Sequence, residues 1–167
     1  MASIKVGDTI PPATFTYIPY SPELDDAVST FFLSTDAWKG KKVVLFSVPG
    51  AFTPTCHQQH LPGYIKRYDE LKAKGVDVVA VVAANDAFVL SGWARVEGLK
   101  DKILALSDTD AQWSASLGLS TDLSKLGLGV RTSRYALVID DLKVTYIGVE
   151  PAPGVTVSGA DAVLESL

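Results

Sequence analysis

Cysteine is almost missing from this chain: Cys56 is the only one in 167 residues. An intrachain disulfide is therefore impossible, and a small disulfide-stapled scaffold is excluded. Any redox chemistry must draw on an outside partner. Basic charge is also scarce, with 15 Lys and Arg against 19 Asp and Glu and a formal charge of -4. Nucleic-acid binding, which wants clustered Lys and Arg, is disfavoured. Long hydrophobic runs are lacking too. Mean hydropathy is positive at +0.21, yet the longest uncharged apolar stretches lie around Val43 to Phe52 and Val78 to Ala84. Both fall far short of the roughly 20 residues that span a bilayer, so no membrane segment is expected and both read as buried strands. The opening MASIKVGD has no basic segment followed by an apolar stretch of secretory length, which leaves export unsupported and a cytoplasmic setting as the default. The final Glu165-Ser-Leu is a poor likeness of the peroxisomal S-K-L signal, so peroxisome or mitochondrion is the lesser expectation.

What the chain does have is material for a core. Apolar residues make up 47% and charged residues 20%, an ordinary globular composition rather than a disordered one. At this size folding hides about 69% of the extended chain's surface, so one domain over residues 1–167 is expected without a metal staple. Residues 1–40 mix Pro11, Pro12, Pro19 and Pro22 with short apolar pieces and suggest loops and short edge strands. The first firm strand is Lys42-Val-Val-Leu-Phe-Ser-Val48, ended by Pro49-Gly50. A helix then begins near Thr53-Pro54, with Thr53 as N-cap, Pro54 as the first helical residue and Cys56 in the first turn. Leu61, Ile65, Tyr68 and Leu71 carry it at helical spacing to Gly75, and Pro62 is expected to bend it. Val76 to Ala83 reads as a second buried strand, followed by an Asn85-Asp86 cap and a helix to about Glu97. Asp108 to Leu117 reads as a short helix. Arg134 to Asp140 and Val144 to Val149 read as strands joined by an Asp140-Asp141 turn. Ser158-Gly-Ala-Asp161 has the form of a capping signal for a last helix. The order of elements predicts an α/β fold, a central mixed β-sheet flanked by helices.

Cys56 has two readings. A lone cysteine is commonly a small buried hydrophobe. A thiol in a first helical turn, however, faces unpaired N–H groups and the positive end of the helix dipole, which favour the nucleophilic thiolate. The strand-turn-helix order also puts it at the carboxyl edge of the sheet, where open α/β proteins place their ligand sites. Thr53 reads either as a cap accepting a backbone N–H or as a hydroxyl turned toward the thiolate. Arg134 reads either as a solvated strand-end charge or as a cation of the site. Pro49 reads as the turn that ends a strand, or as a shield for the sulfur. His60, one helical turn from Cys56, reads as a half-buried helix residue or as an ordering hydrogen-bond partner. The Cys56/His60 spacing could hold a metal, but no third or fourth ligand is evident and His57 points elsewhere, so no metal is expected. Gly127-Leu-Gly129 lacks the third glycine of a dinucleotide motif and reads as a loop. Phe88, Trp93 and Trp113 read as core.

The run Pro49-Gly-Ala-Phe-Thr-Pro-Thr-Cys56, with Leu61-Pro-Gly63 behind it, resembles the peroxidatic motif of the type II, or peroxiredoxin-5-like, peroxiredoxins. The likeness continues through Lys72-Ala-Lys-Gly-Val-Asp77, Asn85-Asp86, Trp93, Ser107-Asp-Thr-Asp110, Ser133-Arg-Tyr135 and Val149-Glu-Pro151. It implies a thioredoxin-like fold and reduction of hydrogen peroxide and alkyl hydroperoxides through a Cys56 sulfenic acid. Pro49, Thr53 and Arg134 would share the active site, Thr55 and His60 would help bind substrate, and no cofactor would be needed. Many relatives resolve the sulfenic acid with a second cysteine, near the position of Val81 or elsewhere. This chain has none, so the expectation is a 1-Cys mechanism that uses glutathione, glutaredoxin or thioredoxin. A noncovalent homodimer meeting near Phe52 is also implied. The rivals are a thiol-disulfide oxidoreductase, although Cys56-His-Gln-Gln59 lacks the second cysteine of C-x-x-C, and a noncatalytic interaction or chaperone-like scaffold.

Overall fold

The structure, a computed structural model, describes residues 3–22 and 29–167. The expectation of loops and edge strands over residues 1–40 therefore lies partly outside the described residues. Within it, β1 (Thr14–Tyr17) and β2 (Phe31–Ser34) pair antiparallel at one edge of the sheet.

Three parallel strands form the centre: β3 (Lys42–Ser47), β4 (Val78–Ala83) and β5 (Ile103–Ser107). Their runs of Val, Ile, Leu and Ala suit strands buried on both faces, and Val43 to Phe46 of β3 have no exposed surface. β8 (Tyr135–Asp140) runs antiparallel to β3, and β9 (Lys143–Val149) returns beside it. The full order is β2-β1-β5-β4-β3-β8-β9, a seven-stranded mixed sheet. One face packs α1 (Leu61–Ala73), α2 (Ala87–Val96) and α4 (Ala160–Ser166) through Leu61, Tyr64, Leu71, Leu90, Trp93 and Val163. The other face gathers Ile10, Phe15, Trp38, Trp113 and Leu117, with α3 (Gln112–Ser116) lying there.

Three local expectations are corrected. The β8-β9 turn is centred on Asp141 and Leu142, both left-handed with φ of 46° and 69°, one residue later than expected. Gly127-Leu-Gly129 is a loop, as expected, and it helps to close an unexpected two-stranded ribbon, β6 (Ser120–Asp122) with β7 (Val130–Thr132). Its short strands carry no alternation strong enough to read in sequence. The expected helix from Asp108 is interrupted because Asp110 and Ala111 take φ of 57° and 53°; the Asp108 carboxylate then accepts from the amides of Trp113 and Ser114, each at 2.9 Å. Phe88 is not core: it is 60% exposed, while Trp93 and Trp113 are buried.

Candidate active site

Antiparallel pairing of β3 with β8 builds the site. It aligns Ser47 with Tyr135, so the carboxyl end of β3 and the amino end of β8 meet at one edge. The chain leaving β3 reaches Cys56 there, and the residue just before β8 is Arg134. Two hydroxyls pin the edge: Ser47 donates to the Ser133 carbonyl at 2.7 Å and Thr132 to the Val48 carbonyl at 2.9 Å.

The turn between β3 and Cys56 is tightly determined. The Ala51 amide donates to Asn85 Oδ1 at 2.9 Å, and Phe52 adopts a left-handed φ of 63°. A Cβ on Gly50 would lie 2.9 Å from Thr53 Cγ2 and 3.0 Å from Arg131 Nη1, so this close approach requires glycine. Pro49 is half-buried, and its carbonyl accepts from Arg131 Nη1 at 3.1 Å. His57 N then bonds Thr53 O at 2.8 Å, one helical turn back. The amides of Thr55 and Cys56, in that first turn, have no partner within the helix. Thr55 is half-buried at the lip of this turn.

Thr53 does not cap as expected. Its hydroxyl donates to the Gly50 carbonyl at 2.7 Å, which leaves the oxygen lone pairs to accept a hydrogen bond from another molecule. Pro62 does not simply bend the helix either. Residues Cys56–His60 form a single π-type turn in which Leu61 N reaches back to Cys56 O. Pro62, lacking an N–H, cannot continue the ladder at the next step, and the surplus residue is absorbed just before it.

Cys56 has no exposed surface, yet it is not sealed among apolar groups alone. Arg134 Nη2 donates to Cys56 Sγ at 3.2 Å, and Arg134 Nη1 lies 2.9 Å from His60 Nδ1. His60 Nε2 lies 2.9 Å from the carbonyl of Ser158, which also accepts from Tyr64 Oη at 2.7 Å. Burial lowers the pKa of His60 from the ordinary 6.5 to about 4; the Ser158 bond opposes this shift and the Arg134 cation adds to it. The ring is therefore neutral near neutral pH. A carbonyl only accepts, so the neutral ring carries its proton on Nε2 and presents a bare Nδ1 to Arg134. His57 faces away from this cluster, with Nδ1 3.1 Å from Trp93 Nε1 and 2.5 Å from Glu97 Oε1.

The structure thus brings Cys56, Arg134 and His60 into direct contact, with Pro49 and Thr53 on the turn leading to them. The sequence reading missed Arg131, Tyr64, Ser158 and Glu150. Arg131 sits three residues before Arg134 on a ribbon that had read as loop. Ser158 had read as a helix cap, but α4 begins after Gly159 with no side-chain cap; the Ser158 hydroxyl instead donates to Glu150 Oε1 at 2.7 Å. Glu150 stood inside a quoted motif without a role.

A mixed α/β sheet with a cysteine sulfur at a helix start and a guanidinium upon it is the arrangement of a thiol-based redox protein. The redoxin family profile matches residues 5–164. The chain is 43% identical to peroxiredoxin-2B of Arabidopsis thaliana over 167 residues, covering all of both proteins. Its structure superposes on reduced Prx3 of Vibrio vulnificus in complex with hydrogen peroxide with a TM-score of 0.87 at 43% identity, covering 98% of this chain and 95% of the other. It matches peroxiredoxin 5 of Alvinella pompejana with a TM-score of 0.81 at 34% identity, covering 98% and 97%. The chain belongs to the peroxiredoxins, thiol-dependent peroxidases of the redoxin family. Among the described residues, no helix is long and apolar enough to cross a membrane.

Proposed function

We propose that this peroxiredoxin reduces hydrogen peroxide and small alkyl hydroperoxides by a 1-Cys cycle, with Cys56 as nucleophile and an external thiol as reductant. The observation that carries the reading is the 3.2 Å contact of Arg134 with Cys56 Sγ. A permanent cation beside the sulfur favours its thiolate over its thiol and stabilises negative charge developing on the peroxide. Thr53 Oγ1, already donating to Gly50, accepts the hydrogen of the bound hydroperoxide and orients its O–O axis. The thiolate attacks the nearer oxygen, the S–O bond forms as the O–O bond breaks, and the leaving oxygen takes up a proton and departs as water or an alcohol. The amides of Thr55 and Cys56 and the guanidinium of Arg134 hold charge on that leaving oxygen. A sulfur with no exposed surface disfavours bulky electrophiles, which supports small substrates.

An external thiolate then attacks the sulfenic sulfur, water leaves as a mixed disulfide forms, and a second thiol releases Cys56 reduced. Glutathione with glutaredoxin, or thioredoxin, supplies these thiols; the absence of a second cysteine in the chain supports the scheme. A reducing compartment, the cytoplasm ahead of a peroxisome or mitochondrion, is the setting that provides them. We also read a noncovalent homodimer, supported by exposed Phe52, Phe88, Val89 and Val96 on the turn before Cys56 and on α2.

The test is peroxide turnover measured side by side with glutathione/glutaredoxin and with thioredoxin. Cys56→Ser is expected to abolish turnover in both, and Arg134→Ala to slow sulfur oxidation about 100-fold, the scale of losing one donor to developing charge. Undiminished turnover in Cys56→Ser, or an unchanged oxidation rate in Arg134→Ala, would refute the reading.

A further inference from the structure

We propose that Glu150 is a positioning residue for the peroxidase reaction: its carboxylate locks the loop after β9 so that the Ser158 carbonyl fixes the tautomer of His60, and His60 in turn holds Arg134 on the Cys56 sulfur. The inference rests on the function proposed above and extends it to a residue about which neither the sequence motif nor the Cys56–Arg134 pair says anything.

Glu150 is the first residue after β9. Its Oε1 accepts from the amide of Thr156 at 2.6 Å and from the amide and hydroxyl of Ser158 at 2.8 and 2.7 Å; Oε2 accepts from the Thr156 hydroxyl at 2.6 Å. Four donors converge on one side chain. Partial burial works against the charged form, but the bonds from Thr156 and Ser158 outweigh it and hold the carboxyl at about 2. The clamp thus keeps the same form across the whole working pH range of a thiol enzyme.

Closing the loop aims the Ser158 carbonyl inward, where it receives two donors from the helix that carries the cysteine, His60 Nε2 and Tyr64 Oη. Ser158, His60 and Tyr64 are all buried, so water cannot replace the carbonyl without opening the core. Tyr64 is set in turn by stacking on Phe46, with ring centroids 3.8 Å apart and planes 4° from parallel. Without the carbonyl, the neutral imidazole could carry its proton on either nitrogen. A proton on Nδ1 would meet Arg134 Nη1 donor to donor and push the guanidinium off the sulfur. The Glu150 amide also donates to the Arg134 carbonyl at 3.0 Å. The residue after β9 therefore holds both ends of Arg134, the backbone directly and the guanidinium through Ser158 and His60.

The roles of charge and geometry separate experimentally. Glu150→Gln keeps an oxygen for the Oε1 donors, and its amide can donate to the Thr156 hydroxyl, so the clamp survives without the charge. Glu150→Ala removes the clamp. Two quantities are measured: the second-order rate of Cys56 oxidation by hydrogen peroxide, and the nitrogen chemical shifts of the His60 ring, which report its tautomer. Wild type is expected to show the Nε2–H form. Glu150→Ala is expected to lose about 10-fold to 100-fold in oxidation rate, the cost of misplacing a catalytic group by about an ångström, and to show a mixture of tautomers. Glu150→Gln should restore both readings to near wild type. A folded Glu150→Ala with an unshifted tautomer overturns the proposal whatever its rate, and so does a Glu150→Gln as slow as the alanine variant. Should Glu150→Ala fail to fold, Ser158→Ala carries the test by deleting one bond to Oε1: a partial shift of both quantities supports the clamp, and unchanged values overturn it. A wild-type protein that peroxide does not oxidise would sink the proposed function, while the ring shifts would still report on the clamp.

Discussion

Three helices of this fold open near a polar side chain that sequence rules mark as a cap, and only α2 is capped by it. At α2 the Asp86 carboxylate accepts from the Val89 amide at 2.9 Å, as capping chemistry prescribes. At the helix start that carries Cys56, Thr53 turns its hydroxyl back to the Gly50 carbonyl, and the early amides are left open. The first arrangement satisfies orphan donors and stabilises the fold. The second leaves donors and lone pairs unspent beside the Cys56 sulfur, where the proposed mechanism has the substrate use them. The opening of α4 resembles the second case, since the Ser158 hydroxyl also faces away from its helix.

The sharpest way to break this contrast is acid. His60, on the helix that carries Cys56, binds its proton at 6.5 in the unfolded chain but only near 4 when folded. Between those values the unfolded state holds more protons, so stability is complete above about 6.5 and falls as the pH drops toward 4, by about 3 kcal/mol for this group. Urea denaturation across that window should show the decline in wild type and in Asp86→Ala alike, because α2 takes no part in it. A flat profile in wild type would contradict the buried, neutral ring. The next effect is kinetic. Thr53→Val should slow Cys56 oxidation about tenfold, near 1.4 kcal/mol for one hydrogen bond to the substrate, while the urea midpoint changes little. A variant that unfolds readily but reacts at the normal rate would show Thr53 to be a structural cap after all. The smallest effect belongs to Asp86→Ala, expected to cost about 1 kcal/mol of stability and to leave the oxidation rate unchanged; a slowed rate would mean that the two helix starts are coupled.

Legibility in the sequence followed the strength of local patterning. β3, β4 and β8 were readable because uninterrupted apolar runs between turn residues admit few alternatives, and α2 because its cap, length and terminal Gly98 agree. The β6-β7 ribbon escaped because its strands of three residues are too short to display a period. Cys56 and Arg134 could be named from the peroxiredoxin-like motifs, but their contact across 78 positions is a product of sheet pairing, which no local window contains. Glu150, Ser158 and Tyr64 were illegible for a further reason. Each bonds through groups that ordinary chemistry assigns to other duties: a surface carboxylate, a helix cap and a core ring. Thr53 and Ser158 show the same limit from the other side, since the capping rule identified the residue and misjudged the direction of its hydroxyl.

The π-type turn at Cys56–His60 gives the helix one residue more than a regular ladder would hold. Each residue of an α-helix advances about 100° around its axis, so trimming Gln58 or Gln59 to regularise the coil would swing the thiol toward a different neighbour. The direction of the Cys56 sulfur is therefore written as an insertion: a repair that perfected the helix would carry the sulfur off Arg134.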